Sequence, residues 1–154
     1  QKMIHKNLSE LGGISYNEEE ERFAKEIYQT LVSPSLELGS QNTIKEYAVT
    51  HTYGSTDVGD LTWLVPTGGF RTATWVPGTS AHSWQAVASG GTSIGLKGAK
   101  LAAKVLTNSA KDIFLDPEII EDSKKELKMK QGEDFSYYPL LGDRKPPLEY
   151  RLNK

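Results

Sequence analysis

The chain has 154 residues, 37% hydrophobic and 25% charged, with 14 Gly and 7 Pro, and a domain of this size buries roughly 70% of the surface its unfolded chain exposes, enough for a core without covalent staples. Lys and Arg total 18 against 20 Asp and Glu, a formal net charge of -2, which argues against nucleic acid or an anionic membrane surface as the main partner, because both need a basic footprint. Cysteine is absent, which removes disulfides, thiolate metal sites and cysteine nucleophiles, and no apolar run approaches the roughly 18 to 20 residues of a bilayer span.

The sequence opens at Gln1 with no cationic start and no apolar signal region. It is not a secretory leader and reads as an excised or processed piece of a longer, cytoplasmic protein. Met3, Ile4, Leu8 and Leu11 share one helical face over residues 1–11, and Gly12-Gly13 stops that helix. Residues 17–31 carry a stronger helix signal: Asn17 as cap, Glu20 three positions on as in a capping box, and Phe23, Ala24, Ile27 and Leu31 as a buried stripe. The Glu18-Glu19-Glu20-Glu21 run suggests a catalytic carboxylate pair, but first-turn acids solvated at the positive end of a helix dipole account for it.

Residues 34–42 read as loop. Residues 47–53 (YAVTHTY) alternate β-branched and aromatic side chains and predict a strand, with His51 structural in its middle. A short helix over 58–65, capped by Thr56 or Asp57, ends at Pro66 and Gly68-Gly69. Residues 70–76 (FRTATWV) predict a second strand, and the small-residue loop 77–81 (PGTSA) leads into His82. A helix over 93–108 offers Ile94, Leu96, Leu101, Ala102, Val105 and Leu106 to a core. Asp116-Pro117 opens the last helix, to about Lys130, and a proline-rich tail follows from Gly132. Strands alternating with helices predict an α/β body.

Two motifs fail on spacing. Gly91-Thr92-Ser93-Ile94-Gly95 matches the nucleophile elbow of serine hydrolases, but that class needs a histidine later in the chain, and His5, His51 and His82 all precede Ser93. The stretch from Gly90 to Gly98 resembles a phosphate loop, yet Leu96 separates Gly95 from Lys97 and Gly98 stands where a hydroxyl is required. What remains is His82, beside a loop small enough to leave its ring open, and Ser55-Thr56-Asp57 at the other expected strand end. Two such strand ends could line one crevice. No H-x-D, H-E-x-x-H or adjacent ligand pair completes a metal site by spacing.

Ser55-Thr56-Asp57-Val58-Gly59-Asp60, Val76-Pro77-Gly78, His82-Ser83-Trp84-Gln85, and Ser93-Ile94-Gly95 with Lys97-Gly98 and Ala102-Ala103-Lys104 follow an order that resembles the C-terminal part of the two-metal amidohydrolases of the aminoacylase and carboxypeptidase type. The resemblance implies a zinc-peptidase-like catalytic domain whose mixed sheet is flanked by helices. Residues 1–13 would end the lid or its connection, 14–131 form the α/β body and 132–154 the irregular tail, with the lid itself absent. It implies cleavage of an amide, such as that joining an aminobenzoyl group to glutamate, by two divalent ions (zinc or manganese), with a glutamate base. His82 matches the family's last metal ligand, and Ser55, Thr56 and Asp57 fall on the substrate side.

The other ligands, the base and the lid precede the matched segment in that family. One imidazole cannot fix two cations, so the resemblance implies an enzyme whose C-terminal part is inactive and binds no metal tightly alone, and which self-associates or pairs with a related subunit. The competing reading is a noncatalytic module that binds a partner or a carboxylate ligand at the glycine-rich start of the Ser93 helix.

Overall fold

The structure, a computed structural model, describes residues 1–49, 54, 56–149 and 151. Among these the regular elements are helices: α1 (Lys2–Leu11), α2 (Glu18–Gln29), α3 (Val58–Thr62), α4 (Trp84–Gly90), α5 (Ser93–Leu115) and α6 (Glu118–Gln131), with a 3-10 turn at Ser40–Asn42. The chain divides into two compact units. The first joins Gln1–Thr52 to Gly68–Pro117, and the second joins Tyr53–Thr67 to Glu118–Lys154.

In the first unit the helix starts follow from their capping residues. Asn17 Oδ1 accepts the Glu20 N–H at 2.9 Å and the Asn17 N–H donates to Glu20 Oε2 at 2.8 Å, which is the reciprocal box the sequence predicts for α2. Ser83 caps α4, accepting the Ala86 N–H at 3.2 Å, and Thr92 caps α5 through the Ile94 N–H at 3.3 Å. Both α1 and α4 pack on α5. The first of these contacts is partly polar: buried Asn7 donates to Asp112 Oδ2 at 2.8 Å and to Ser109 Oγ at 3.3 Å. Those bonds satisfy groups that would otherwise be costly to bury, and they lie beyond Asn108, where the sequence ended its helix and α5 continues to Leu115.

The core is small and belongs to this unit. Ala24, Ile27, Val76 and Ile94 form its buried cluster, with Tyr16, Phe23, Tyr28, Leu38 and Ala88 packed against it. Ile94 and Val105 are fully enclosed, whereas Leu96 and Leu106, also expected inside, are more than half exposed.

The α/β expectation is overturned: among the described residues there is no strand and no sheet. Residues 70–76 form neither helix nor ladder. The strand expected over 47–53 is likewise irregular at 47–49, and its residues 50–53, His51 included, lie outside the described residues. Alternating β-branched and aromatic side chains favour a pleated backbone, but a strand exists only where a neighbour takes its N–H and C=O groups.

Here side chains anchor the two segments instead. The Gln1 amide accepts the Gly69 N–H at 2.9 Å and donates to the Gly69 carbonyl at 2.5 Å. Thr72 Oγ1 donates to the Gly98 carbonyl at 3.0 Å, and His5 Nε2 donates to the Lys45 carbonyl at 2.9 Å, with its ring edge-on to Tyr47.

Gly98 lets α5 approach that second segment. A Cβ there would stand 2.4 Å from the Ala73 carbonyl oxygen, and the obstacle is backbone that cannot rotate away. Gly98→Ala is therefore expected to cost about 2 kcal/mol of stability, read as a lower midpoint in urea with unchanged slope. An unshifted midpoint would show that α5 does not rest on residues 72–74 as described.

Among the described residues the second unit contributes none to the buried hydrophobic set. Trp63, just after α3, stacks on Phe135 with ring centres 5.4 Å apart and planes at 17°, and the Gln131 side chain donates to the Trp63 carbonyl. Helix α6 carries exposed pairs at helical spacing, such as Lys124 with Glu121 at 3.0 Å, each worth a few tenths of a kcal/mol. Its first turn is acidic and its last turn basic, the distribution that suits a helix dipole.

Candidate functional site

The first unit contains an open cleft of about 990 Å³ whose walls include residues 43–48 and 69–79. The turn that carries His82 leaves its rim, because Ala81 lines the cleft and His82 follows. His82 is exposed and holds φ at +60°, a left-handed conformation that a residue with a Cβ adopts at a cost. What holds the turn is Ser83: its hydroxyl donates to the Ser80 carbonyl at 2.7 Å while it caps α4. The imidazole makes no hydrogen bond to any described residue, so both nitrogens remain available for coordination or proton transfer.

The other candidates fall in the second unit. Ser55 lies outside the described residues. Thr56 and Asp57 are exposed, and Thr56 Oγ1 accepts the Val58 N–H at 3.3 Å, so it acts as the start of α3. Asp57 occupies the N-cap position of α3 without a side-chain capping bond. Among the described residues no group of three His, Cys, Asp or Glu side chains could hold a metal ion. The donor set present therefore does not fit a complete two-ion centre.

A second constellation was not foreseen. Glu20 is only 4% exposed, unlike the solvated carboxylate the acidic run predicts. Ser93 Oγ donates to its Oε1 at 2.7 Å. Lys97 Nζ donates to its Oε2, and to the Ser15 carbonyl at 2.9 Å. Burial pushes the Glu20 carboxyl up, but hydrogen bonds from Lys97, Ser93 and the Asn17 N–H, with the Lys97 charge, outweigh it and hold the group below its ordinary value.

Nearby, the Tyr16 hydroxyl is enclosed without a partner among the described residues. Burial, and then the Glu20 charge, push it up to about 12. Glu20 thus brings its negative charge to the starts of both α2 and α5, and the anion that the glycine-rich start of α5 could attract is the chain's own. Ser93 is a member of this clamp, not an activated nucleophile. Gly95 of the elbow-like motif is explained by packing, since a Cβ there would meet the Gly90 carbonyl oxygen at 2.2 Å. The spacing Glu20…Ser93…Lys97 could have been noticed only by pairing two helix N-termini in space.

No family model and no solved structure matches the chain. Sequence comparison with curated proteins nevertheless agrees with the motifs: the chain is related to an amidohydrolase family. The relative that shows this is a subunit of p-aminobenzoyl-glutamate hydrolase from Escherichia coli (strain K12), 31% identical over 148 residues, a match that covers 80% of this chain and 31% of that protein. The chain spans less than a third of the length of the curated relative it matches. No helix among the described residues is long and apolar enough to cross a membrane.

Proposed function

We propose that this chain is the C-terminal part of the catalytic domain of a cytoplasmic amidohydrolase that cleaves the amide of an acyl-glutamate, with aminobenzoyl-glutamate as the type of substrate. The sequence relation carries this reading, and the exposed, left-handed His82, one residue beyond the cleft-lining Ala81, is the local feature that agrees with it. In the intact protein two divalent ions, zinc or manganese, would supply an activated water. His82 would provide one ligand, and the remaining ligands and the base come from residues outside these 154.

Ser55, Thr56 and Asp57 are proposed on the substrate side. The chain alone is expected to be inactive and to hold no metal tightly. The intact protein is expected to self-associate or to pair with a related chain, since the relative is named as one component of a hydrolase.

The test is hydrolysis of p-aminobenzoyl-glutamate by the intact protein after loading with zinc or manganese. Release of p-aminobenzoate and glutamate supports the reading, and a fully loaded, folded protein that releases neither overturns it. Ser93→Ala should leave turnover within a few-fold, because it loses one hydrogen bond to a buried carboxylate and no reacting group. Collapse of turnover in a stably folded Ser93→Ala protein would restore the serine-hydrolase alternative.

A further inference from the structure

The cleft of the first unit has a charge pattern that its fold does not consume. Arg71 and Lys45 both line it, one from each of the segments held by side-chain anchors. Neither forms an ion pair or a side-chain hydrogen bond with any described residue. The donors around them are already committed: Thr72 to the Gly98 carbonyl, the Gln1 amide to Gly69 and His5 to the Lys45 carbonyl. Glu46 lines the same cleft but pairs with neither cation within 4 Å. Two unclaimed cations against one carboxylate make the lining positive in a chain whose net charge is -2.

We propose that this cleft is a carboxylate-binding site, in which Arg71 and Lys45 take the anionic glutamyl half of the amide substrate. The identity of the ligand rests on the hydrolase reading above, while the anion site stands on the two cations. Arg71 offers a planar fork that matches a carboxylate with two parallel bonds, and Lys45 offers a point charge for a second carboxylate. A concave wall focuses that potential and raises the local concentration of an anion. The anchors at Gly69 and Thr72 hold the backbone on either side of Arg71, and His5 holds the carbonyl of Lys45 itself, so little backbone ordering remains when the ligand binds.

The experiment is calorimetric titration of the intact protein with p-aminobenzoyl-glutamate and with its neutral diamide, in the parent, Arg71→Met, Arg71→Lys and Lys45→Met proteins. The parent should prefer the dicarboxylate. Arg71→Met should weaken it at least about tenfold and cut the preference to the part that Lys45 supplies, and Lys45→Met should weaken it about threefold. Arg71→Lys should fall between parent and Met, a graded recovery that a structural role would not produce. Both positions are exposed, so unfolding midpoints should stay put.

Parent-like affinity and preference in Arg71→Met and Lys45→Met overturn the carboxylate site, as does a parent that binds dicarboxylate and diamide alike. If the parent binds through Arg71 but does not hydrolyse, the carboxylate site stands and the hydrolase reading fails. If it hydrolyses with KM unmoved by either substitution, the reverse holds.

Discussion

His82→Ala in the intact protein is expected to reduce amide hydrolysis by at least about a hundredfold, because the proposed centre loses a ligand bonded directly to metal and not merely a neighbour of one. The left-handed turn dictates the control. Alanine removes the imidazole and also places an unfavourable side chain at φ +60°, so its effect mixes chemistry with backbone strain. Asparagine tolerates that conformation and cannot replace the imidazole as a strong ligand. His82→Asn should therefore fall as far in turnover as His82→Ala while keeping the parent's thermal midpoint. Bound zinc or manganese, counted per protein by mass spectrometry, should drop in both. Near-normal turnover with full metal occupancy in either variant removes His82 from the ligand set.

The second large effect concerns Glu20. Glu20→Gln leaves Lys97 without its anion, Ser93 without its charged acceptor and the α2 box weakened. A buried pair broken from one side costs several kcal/mol, but Lys97 keeps 38% of its side-chain surface in water and can rehydrate. The expected loss is therefore about 2 kcal/mol, or about 6 °C in thermal midpoint for a domain of this length.

The pH dependence has a definite sign. The folded carboxyl titrates below its unfolded value, so the unfolded chain binds more protons between the two values. Stability rises with pH across that window. The Glu20 contribution is complete above the unfolded pKa of about 4.3 and is lost as pH falls through the folded one. Glu20→Gln should consequently unfold at lower temperature at neutral pH and show a shallower acid limb than the parent. Parallel acid limbs would mean that another carboxylate governs acid unfolding.

Helix starts were readable because each is decided by a few neighbouring residues. Asn17 and Glu20 meet across three positions, and Pro117 precedes α6 as expected of a first-turn proline. Helix α4 has no comparable signal in the sequence, since seven residues are too few for a hydrophobic period and Trp84 and Val87, both exposed, give it no apolar stripe. The end of α5 lies beyond the expected Asn108 because the partner of Ser109 and Asp112 is Asn7, about a hundred positions away in the chain.

The two expected strands failed for a different reason: alternation states what a backbone favours and says nothing about who pairs with it. The same divide separates the candidate site residues. His82 stood out by its small-residue loop, whereas Glu20 with Lys97, and Arg71 with Lys45, acquire their meaning only from packing.

Anchoring by side chains also sets how the two cleft walls tolerate genetic change. In a paired ladder every residue contributes two main-chain groups, so an exchange of one side chain leaves the pairing in place. Here the Gly69 end hangs on one glutamine, the Lys45 carbonyl on one histidine and the Thr72 position on one hydroxyl. Each wall is thus inherited through single codons, and drift at Gln1, His5 or Thr72, which line the cleft themselves, would reshape it while leaving Arg71 and Lys45 unchanged.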